Sequence, residues 1–334
     1  MRRRALLLGA LLMPTAAAAR SGKQTSKTRE GGKPIPPLKE ARSQFVAFNA
    51  SAFPYRGRVP SSNKPFLDVR EGERRGHRTP RGEIYWEDPT YSDRRSLLYL
   101  PQGFDPNKPV VIVLYLHGHG ARLERDVAVR QAVPRQIAES DRNIALVAPQ
   151  LALEAGDSSA GNFWKPGHFA TYLDEAAERL MRLHGDGRAG RAFNLASVVI
   201  VAYSGGYLTA AYALERGGAG HRVKGVILMD ALYGDEEKLA GWAAARRQRV
   251  FLLSAYTDST RSENALLQGL LAKRRVPFTR SLPSTLKPGT FAFVASGGLD
   301  MHGDFVTRAW RPDPLKHALT MIPGYAPLRA RQRA

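Results

Sequence analysis

The sequence predicts an α/β fold: a mostly parallel central sheet with helices on both faces. Three observations predict it. Runs rich in Val, Ile, Leu and Phe recur at 110–116, 144–148, 198–201, 223–229, 249–254 and 291–296. They are largely continuous rather than alternating, as strands buried on both faces must be. Segments of helical character lie between them, at 122–140, 168–184, 207–214, 235–246 and 261–273, and strands alternating with helices give a parallel sheet. Finally, within 197–214 (SVVIVAYSGGYLTAAYAL) a β-branched run ends at Ala202-Tyr203-Ser204-Gly205-Gly206 and helix formers begin at once.

Taken in order, residues 1–19 read as an export signal. Arg2-Arg3-Arg4 is the charged start, 5–13 the apolar stretch, and Ala16 to Ala19 offer cleavage choices. The stretch is shorter than the roughly 20 residues of a membrane span. Both general and twin-arginine export remain open, and the predicted location is periplasmic or secreted. Residues 20–44 are basic and carry Gly31-Gly32, Pro34, Pro36 and Pro37, which predicts a disordered linker. A single domain is predicted over 45–320, its first part (45–94) rich in loops with a short strand at 83–86. From 95–100, a strand, the pattern becomes regular. A turn follows at 101–108, and Pro134 should kink or break the helical stretch around it. A polar, Gly-containing loop spans 151–166. Residues 321–334 form a basic tail.

Composition narrows the chemistry. With no cysteine among 334 residues, disulfides, thiolate metal sites and cysteine catalysis are excluded. A net charge of +20 raises the prospect of an anionic partner, such as an envelope polymer met electrostatically. Arginine spread over solvated faces explains the same number. Much of the excess lies in the tails, and no basic-aromatic module for specific nucleic-acid binding is visible.

Reactive groups of an open parallel sheet gather where its strands end. After 110–116 comes His117-Gly118-His119-Gly120, after the 198–201 run Ser204, after 223–229 Asp230, after 249–254 Asp258, and after 291–296 His302. A serine, a carboxylate and a histidine thus follow one another in chain order, each at a strand end. A serine hydroxyl is a poor nucleophile until a base takes its proton, and histidine is the base suited to neutral pH. The histidine in turn needs a carboxylate to fix its tautomer and stabilise the imidazolium. Of the eight histidines, His302 is the first after the last strand. His117 and His119 share the rim, but beside glycines they read as an oxyanion loop rather than a metal pair. No metal or cofactor is expected.

On these motifs the chain resembles the α/β-hydrolase superfamily over 95–310. Ala202-x-Ser204-x-Gly206 stands where the usual pattern is G-x-S-x-G, and alanine keeps the turn nearly free of side chain. The segment from Leu100-Pro101 to Gly118 is similar to extracellular esterases of the feruloyl-esterase and polyester-depolymerase kind. The resemblance implies Ser204 as nucleophile, His302 as base, and an oxyanion hole from the N–H groups of Gly205 and His119. It implies Asp258 as the acid, after the strand next but one from the nucleophile strand, with Asp230 as the alternative. Tyr203, Phe163 and Trp164 are candidate pocket residues; Phe163 and Trp164 read equally well as packing, and for Tyr203 packing is the preferred reading. The implied protein is an exported serine hydrolase acting on a small-molecule or polymer ester. An amidase or peptidase of the same fold, or a non-catalytic envelope-binding protein on that scaffold, remains open.

Overall fold

The structure, a computed structural model, describes residues 33–325. Chain contacts divide the sequence into Met1–Pro34 and Ile35–Ala334, and the fold is that of the second unit. The expected export signal, the linker up to residue 32 and the tail beyond 325 lie outside the described residues. The rest of the linker departs from expectation. Ile35 and Leu38 are buried in the core, and a strand, β1, already begins at Arg42. The proline-rich approach is held by apolar contact, which its charge and proline content concealed. At the other end, Met321 and Ile322, expected in the basic tail, are buried too.

The remaining strands are β2 (Val69–Glu71), β3 (Arg74–Arg78), β4 (Ile84–Trp86), β5 (Arg95–Leu100), β6 (Val111–Leu116), β7 (Ile144–Pro149), β8 (Ser197–Tyr203), β9 (Val223–Met229), β10 (Phe251–Tyr256) and β11 (Phe291–Ala295), with β1 spanning Arg42–Ala47. The helices are α1 (Glu87–Thr90), α2 (Val133–Glu139), α3 (His168–His184), α4 (Gly190–Leu195), α5 (Tyr207–Arg216), α6 (Glu236–Arg246), α7 (Arg261–Lys273) and α8 (Pro314–Thr320). Eight strands form one sheet in the order β1-β5-β7-β6-β8-β9-β10-β11. Only β5 runs against its neighbours, and every other pairing is parallel. Counted along the chain within this sheet, the order is 1-2-4-3-5-6-7-8 with the second strand reversed. That is the α/β-hydrolase fold.

The continuous apolar runs resolve into two faces, because successive side chains of a strand point to opposite sides. Val111, Val113 and Tyr115 of β6, with Val199 and Val201 of β8, pack against Leu123, Val127, Ile137 and Leu315. Ile112, Leu114 and Leu116, with Val198 and Ile200, pack against Phe169, Ala210, Leu239 and Leu267. Each such side chain contributes about 1.5–3 kcal/mol when fully buried. The expected helix over 122–140 is instead a π-type turn, Leu123–Arg130, followed by α2. The chain breaks at Ala132, with φ 48°, and Pro134 sits in the first turn of α2, where its missing N–H does no harm.

After β6 the chain moves to β7 on one side, and after β8 it moves to β9 on the other. The carboxyl ends of β6 and β8 therefore flank the switch point where crevices open in such sheets. A second sheet, β2-β3-β4, is antiparallel. It belongs to the region read from sequence as loops, and the expected strand at 83–86 is its β4.

Candidate active site

At the end of β8 the backbone turns sharply. Ser204 takes φ 50°, a left-handed conformation that costs a non-glycine residue energy. A one-turn 3₁₀ segment, Ser204–Gly206, then feeds α5. Two glycines make the turn possible. A Cβ on Gly206 would lie 2.4 Å from the carbonyl oxygen of Leu116, and one on Gly118 would lie 2.7 Å from Ser204 Cβ. Ala202, by contrast, is an ordinary β8 residue opposite Leu116 in the parallel register. Alanine departs from the usual glycine there without altering the turn. Ser204 is left 7% exposed, on the lining of a cleft of about 1250 Å³.

His302 comes from the 3₁₀ segment Leu299–Asp304 after β11. Its Nε2 is 2.9 Å from Ser204 Oγ, and its Nδ1 is 2.6 Å from Asp230 Oδ2. The ring stacks on Tyr203, with centroids 5.5 Å apart, and meets Tyr233 edge-on. Tyr203 also donates its hydroxyl to the His302 carbonyl oxygen at 2.8 Å. Both the ring and its backbone are thus held.

The carboxylate beside His302 is Asp230, the alternative acid, and not Asp258. Asp230 ends β9 with φ 46° and is fully buried. The end of β10 supplies its hydrogen bonds. Thr257 donates its backbone N–H (3.0 Å) and hydroxyl (2.6 Å), Ser259 its hydroxyl (2.8 Å) and Thr260 its hydroxyl (2.7 Å). Burial alone would raise the pKa of this carboxyl. The bonds from His302, Thr257 and Thr260 outweigh burial and hold it below the usual carboxylate range. Asp258 lies in the same short segment, but its side chain is 47% exposed and ion-paired with Arg261 of α7. The physical reason is local: Asp258 opens a helical turn at the surface, where an acid suits the first turn, while its neighbours face inward.

The loop after β6 closes the other side. A Cβ on Gly205 would lie 2.4 Å from His119 Cδ2, so His119 and Gly205 adjoin one another beside Ser204. The His119 ring hydrogen-bonds Ser158 Oγ at 2.7 Å. His117 is structural. Its Nδ1 must donate to the Gly118 carbonyl oxygen, at 2.8 Å, so its Nε2 accepts from Leu151 N–H and the Gln150 amide, both at 2.9 Å. Burial pushes its pKa down to about 4, and both ring nitrogens are engaged within the protein.

Of the candidate pocket residues, Tyr203 and Trp164 line the cleft. Phe163 does not: it is fully buried against His168, Phe169 and Tyr172, docking its loop on the core. The far wall comes from the N-terminal region, including Val59, Lys64, Asp68 and the 77–81 segment. Sequence reasoning did not assign these residues. It did have a signal for Asp230, which is flanked by Met229, Ala231 and Leu232 as a buried acid would be, whereas Asp258 precedes Ser259-Thr260-Arg261.

No family model matches the chain, and no curated protein does. Solved structures give fold-level likeness. The chain is similar to the feruloyl esterase module from Clostridium thermocellum (13% identity, 87% of this chain and 100% of that one, TM-score 0.44). It is similar to an S-formylglutathione hydrolase from Agrobacterium tumefaciens (14% identity, 76% and 98%, TM-score 0.40). It is also similar to a CE1 ferulic acid esterase from Anaeromyces mucronatus (13% identity, 72% and 91%, TM-score 0.36). Likeness at this level says nothing of chemistry.

Proposed function

We propose that the protein is a serine hydrolase that cleaves carboxylic esters through an acyl-enzyme. The observation that supports it most is the unbroken chain from Ser204 Oγ through both His302 nitrogens to buried Asp230. In this reading Asp230 keeps a proton on Nδ1, so that Nε2 presents its lone pair to the Ser204 hydroxyl. As Oγ attacks the ester carbonyl, its proton passes to Nε2. The tetrahedral oxyanion is met by the N–H groups of Gly205 and His119, and the dipole end of the helix behind Ser204 favours the same charge. His302 then returns the proton to the departing alcohol. Water repeats the sequence on the acyl-serine: His302 takes its proton, the acid leaves, and Ser204 Oγ regains its hydrogen. Esters rather than amides are the adopted substrates, because an alcohol leaves with less help from the general acid than an amine requires.

A panel of nitrophenyl esters of increasing acyl length, set beside the matching nitroanilides, tests this. Wild-type protein should turn over esters, and Ser204→Ala should fall to background. Anilide turnover matching the esters would make the protein an amidase instead. Ester turnover that survives Ser204→Ala would remove the mechanism. The reading extends to export, on the strength of residues 1–19. Fractionation of expressing cells should find the shortened chain outside the cytoplasm, and a full-length cytoplasmic chain would refute that part.

A further inference from the structure

The cleft is lined by six Lys and Arg residues against three Asp, and the six are not equivalent. Arg130 is tied to Asp126, Arg216 to Glu215 and Lys238 to Asp235. These three lie on the core side. The other three, Lys64, Arg78 and Arg81, lie on the N-terminal wall, and no carboxylate pairs with them among the described residues. All three are exposed, and among the described residues the Arg78 guanidinium meets only the Gly82 carbonyl oxygen, at 3.3 Å.

Arg81 stands out among them. It occupies the tip of the β3–β4 hairpin, where Pro80 precedes it and Gly82, at φ +94°, closes the turn through its N–H to the Thr79 carbonyl oxygen at 2.9 Å. Thr79 is fastened again by its N–H to the Glu83 carbonyl oxygen, at 2.9 Å, and by its hydroxyl to the Glu83 carboxylate, at 2.9 Å. The backbone of the turn that carries Arg81 is therefore fixed. The Arg81 guanidinium makes no ion pair or hydrogen bond among the described residues. It lines the cleft with Ser204, His119, Tyr207 and Tyr233.

Its charge reaches those groups. The His119 pKa is lowered by burial first, against the pull of Asp157, and then by Arg81. Burial raises the Tyr207 and Tyr233 hydroxyls, and Arg81 opposes it. Two acids whose charge also acts on His119 are occupied: Asp157 accepts from Tyr91 and from Ser159, and Glu83 from Thr79. An exposed guanidinium on the wall of the cleft that holds Ser204, with no partner of its own among the described residues, is free to meet a charge that the ligand brings.

We propose that Arg81 binds a carboxylate carried by the substrate, so that the preferred substrate is an anionic ester. This rests on the esterase reading above. A planar carboxylate takes two parallel N–H donors from a guanidinium. Lys64 and Arg78 add long-range attraction that salt would screen.

The test compares matched ester pairs in wild type, Arg81→Gln and Arg81→Glu. One pair puts the charge on the acyl side (mono-nitrophenyl glutarate against nitrophenyl butyrate). The other puts it on the alcohol side (4-acetoxybenzoate against phenyl acetate). In at least one pair, wild type should favour the anion. Arg81→Gln should lower the anionic-to-neutral ratio of kcat/KM by about tenfold, the worth of one charge-assisted contact, and Arg81→Glu should lower it further. Added KCl should erode the wild-type ratio. A ratio that Arg81→Gln leaves unchanged in both pairs, with neutral esters still hydrolysed, overturns this inference alone. No turnover of any ester overturns the proposed function and this inference with it.

Discussion

Two neighbouring strand ends carry an aspartate each, and the two could hardly differ more. At the end of β9, Asp230 is sealed from solvent and receives hydrogen bonds from Thr257, Ser259, Thr260 and His302. At the end of β10, Asp258 faces water and pairs with Arg261. A place at a strand end thus does not make an acid useful to a histidine. What matters is a buried, fully satisfied carboxylate whose charge is stabilised before the imidazolium forms, and the end of β10 serves by supplying the donors. A buried ion left without partners would be very costly, so the four-sided satisfaction of Asp230 allows it to remain ionised there.

The sharpest way to break this comparison is to neutralise each acid in turn. Asp230→Asn should lower kcat/KM for a nitrophenyl ester by about 10⁴-fold, the scale expected when the histidine loses its orienting carboxylate. Asp258→Asn should leave it within about twofold, because exposed ion pairs contribute little. Equal losses would erase the distinction. A smaller effect is expected from the donors. Thr260→Val removes one buried bond to Asp230 Oδ1, which should cost about 1–3 kcal/mol of stability and lower turnover less than Asp230→Asn does. Chemical denaturation and kinetics on the same preparation would check this, and a silent Thr260→Val would mean that the cluster does not hold the acid.

A further effect, on stability alone, concerns pH. His117 in the folded protein has a pKa of about 4, below the unfolded value of about 6.5. Between those values the unfolded chain binds the proton and the folded one does not, so stability falls as pH drops through that window. The full loss is about 3 kcal/mol. Glutamine at 117 can accept the Leu151 N–H without titrating. His117→Gln should therefore lose less stability than wild type between pH 7 and 5, and parallel losses would assign the acid sensitivity elsewhere.

Much of this was legible in the sequence. The strands β5, β9 and helices α3 and α7 begin and end where the apolar and amphipathic patterns do, because buried strands and amphipathic helices are set by local composition. The places of Ser204 and His302 at strand ends were legible, and the structure brings the two within 2.9 Å. Which carboxylate stands beside His302 was not, since that depends on which side chains converge in space, and Thr257 and Thr260 lie 27 and 30 residues beyond Asp230. The N-terminal wall escaped for another reason. Strand β1 is an edge strand with exposed Arg42, Ser43 and Gln44, and β2 to β4 are short and half-polar, so none of them presents the apolar run that marks a buried strand. Arg81 gained meaning only once its hairpin was seen beside the cleft.

The central claim is that His302, held by Asp230, activates Ser204. The measurement that reaches it most directly needs no knowledge of the substrate: the rate at which a fluorophosphonate becomes attached to Ser204, followed by intact mass and located by peptide mapping. Wild type and Asp258→Asn should label at Ser204 at similar rates, and Asp230→Asn should label slower by orders of magnitude. Fast labelling of Asp230→Asn with slow labelling of Asp258→Asn, or an adduct on a residue other than Ser204, would contradict the account.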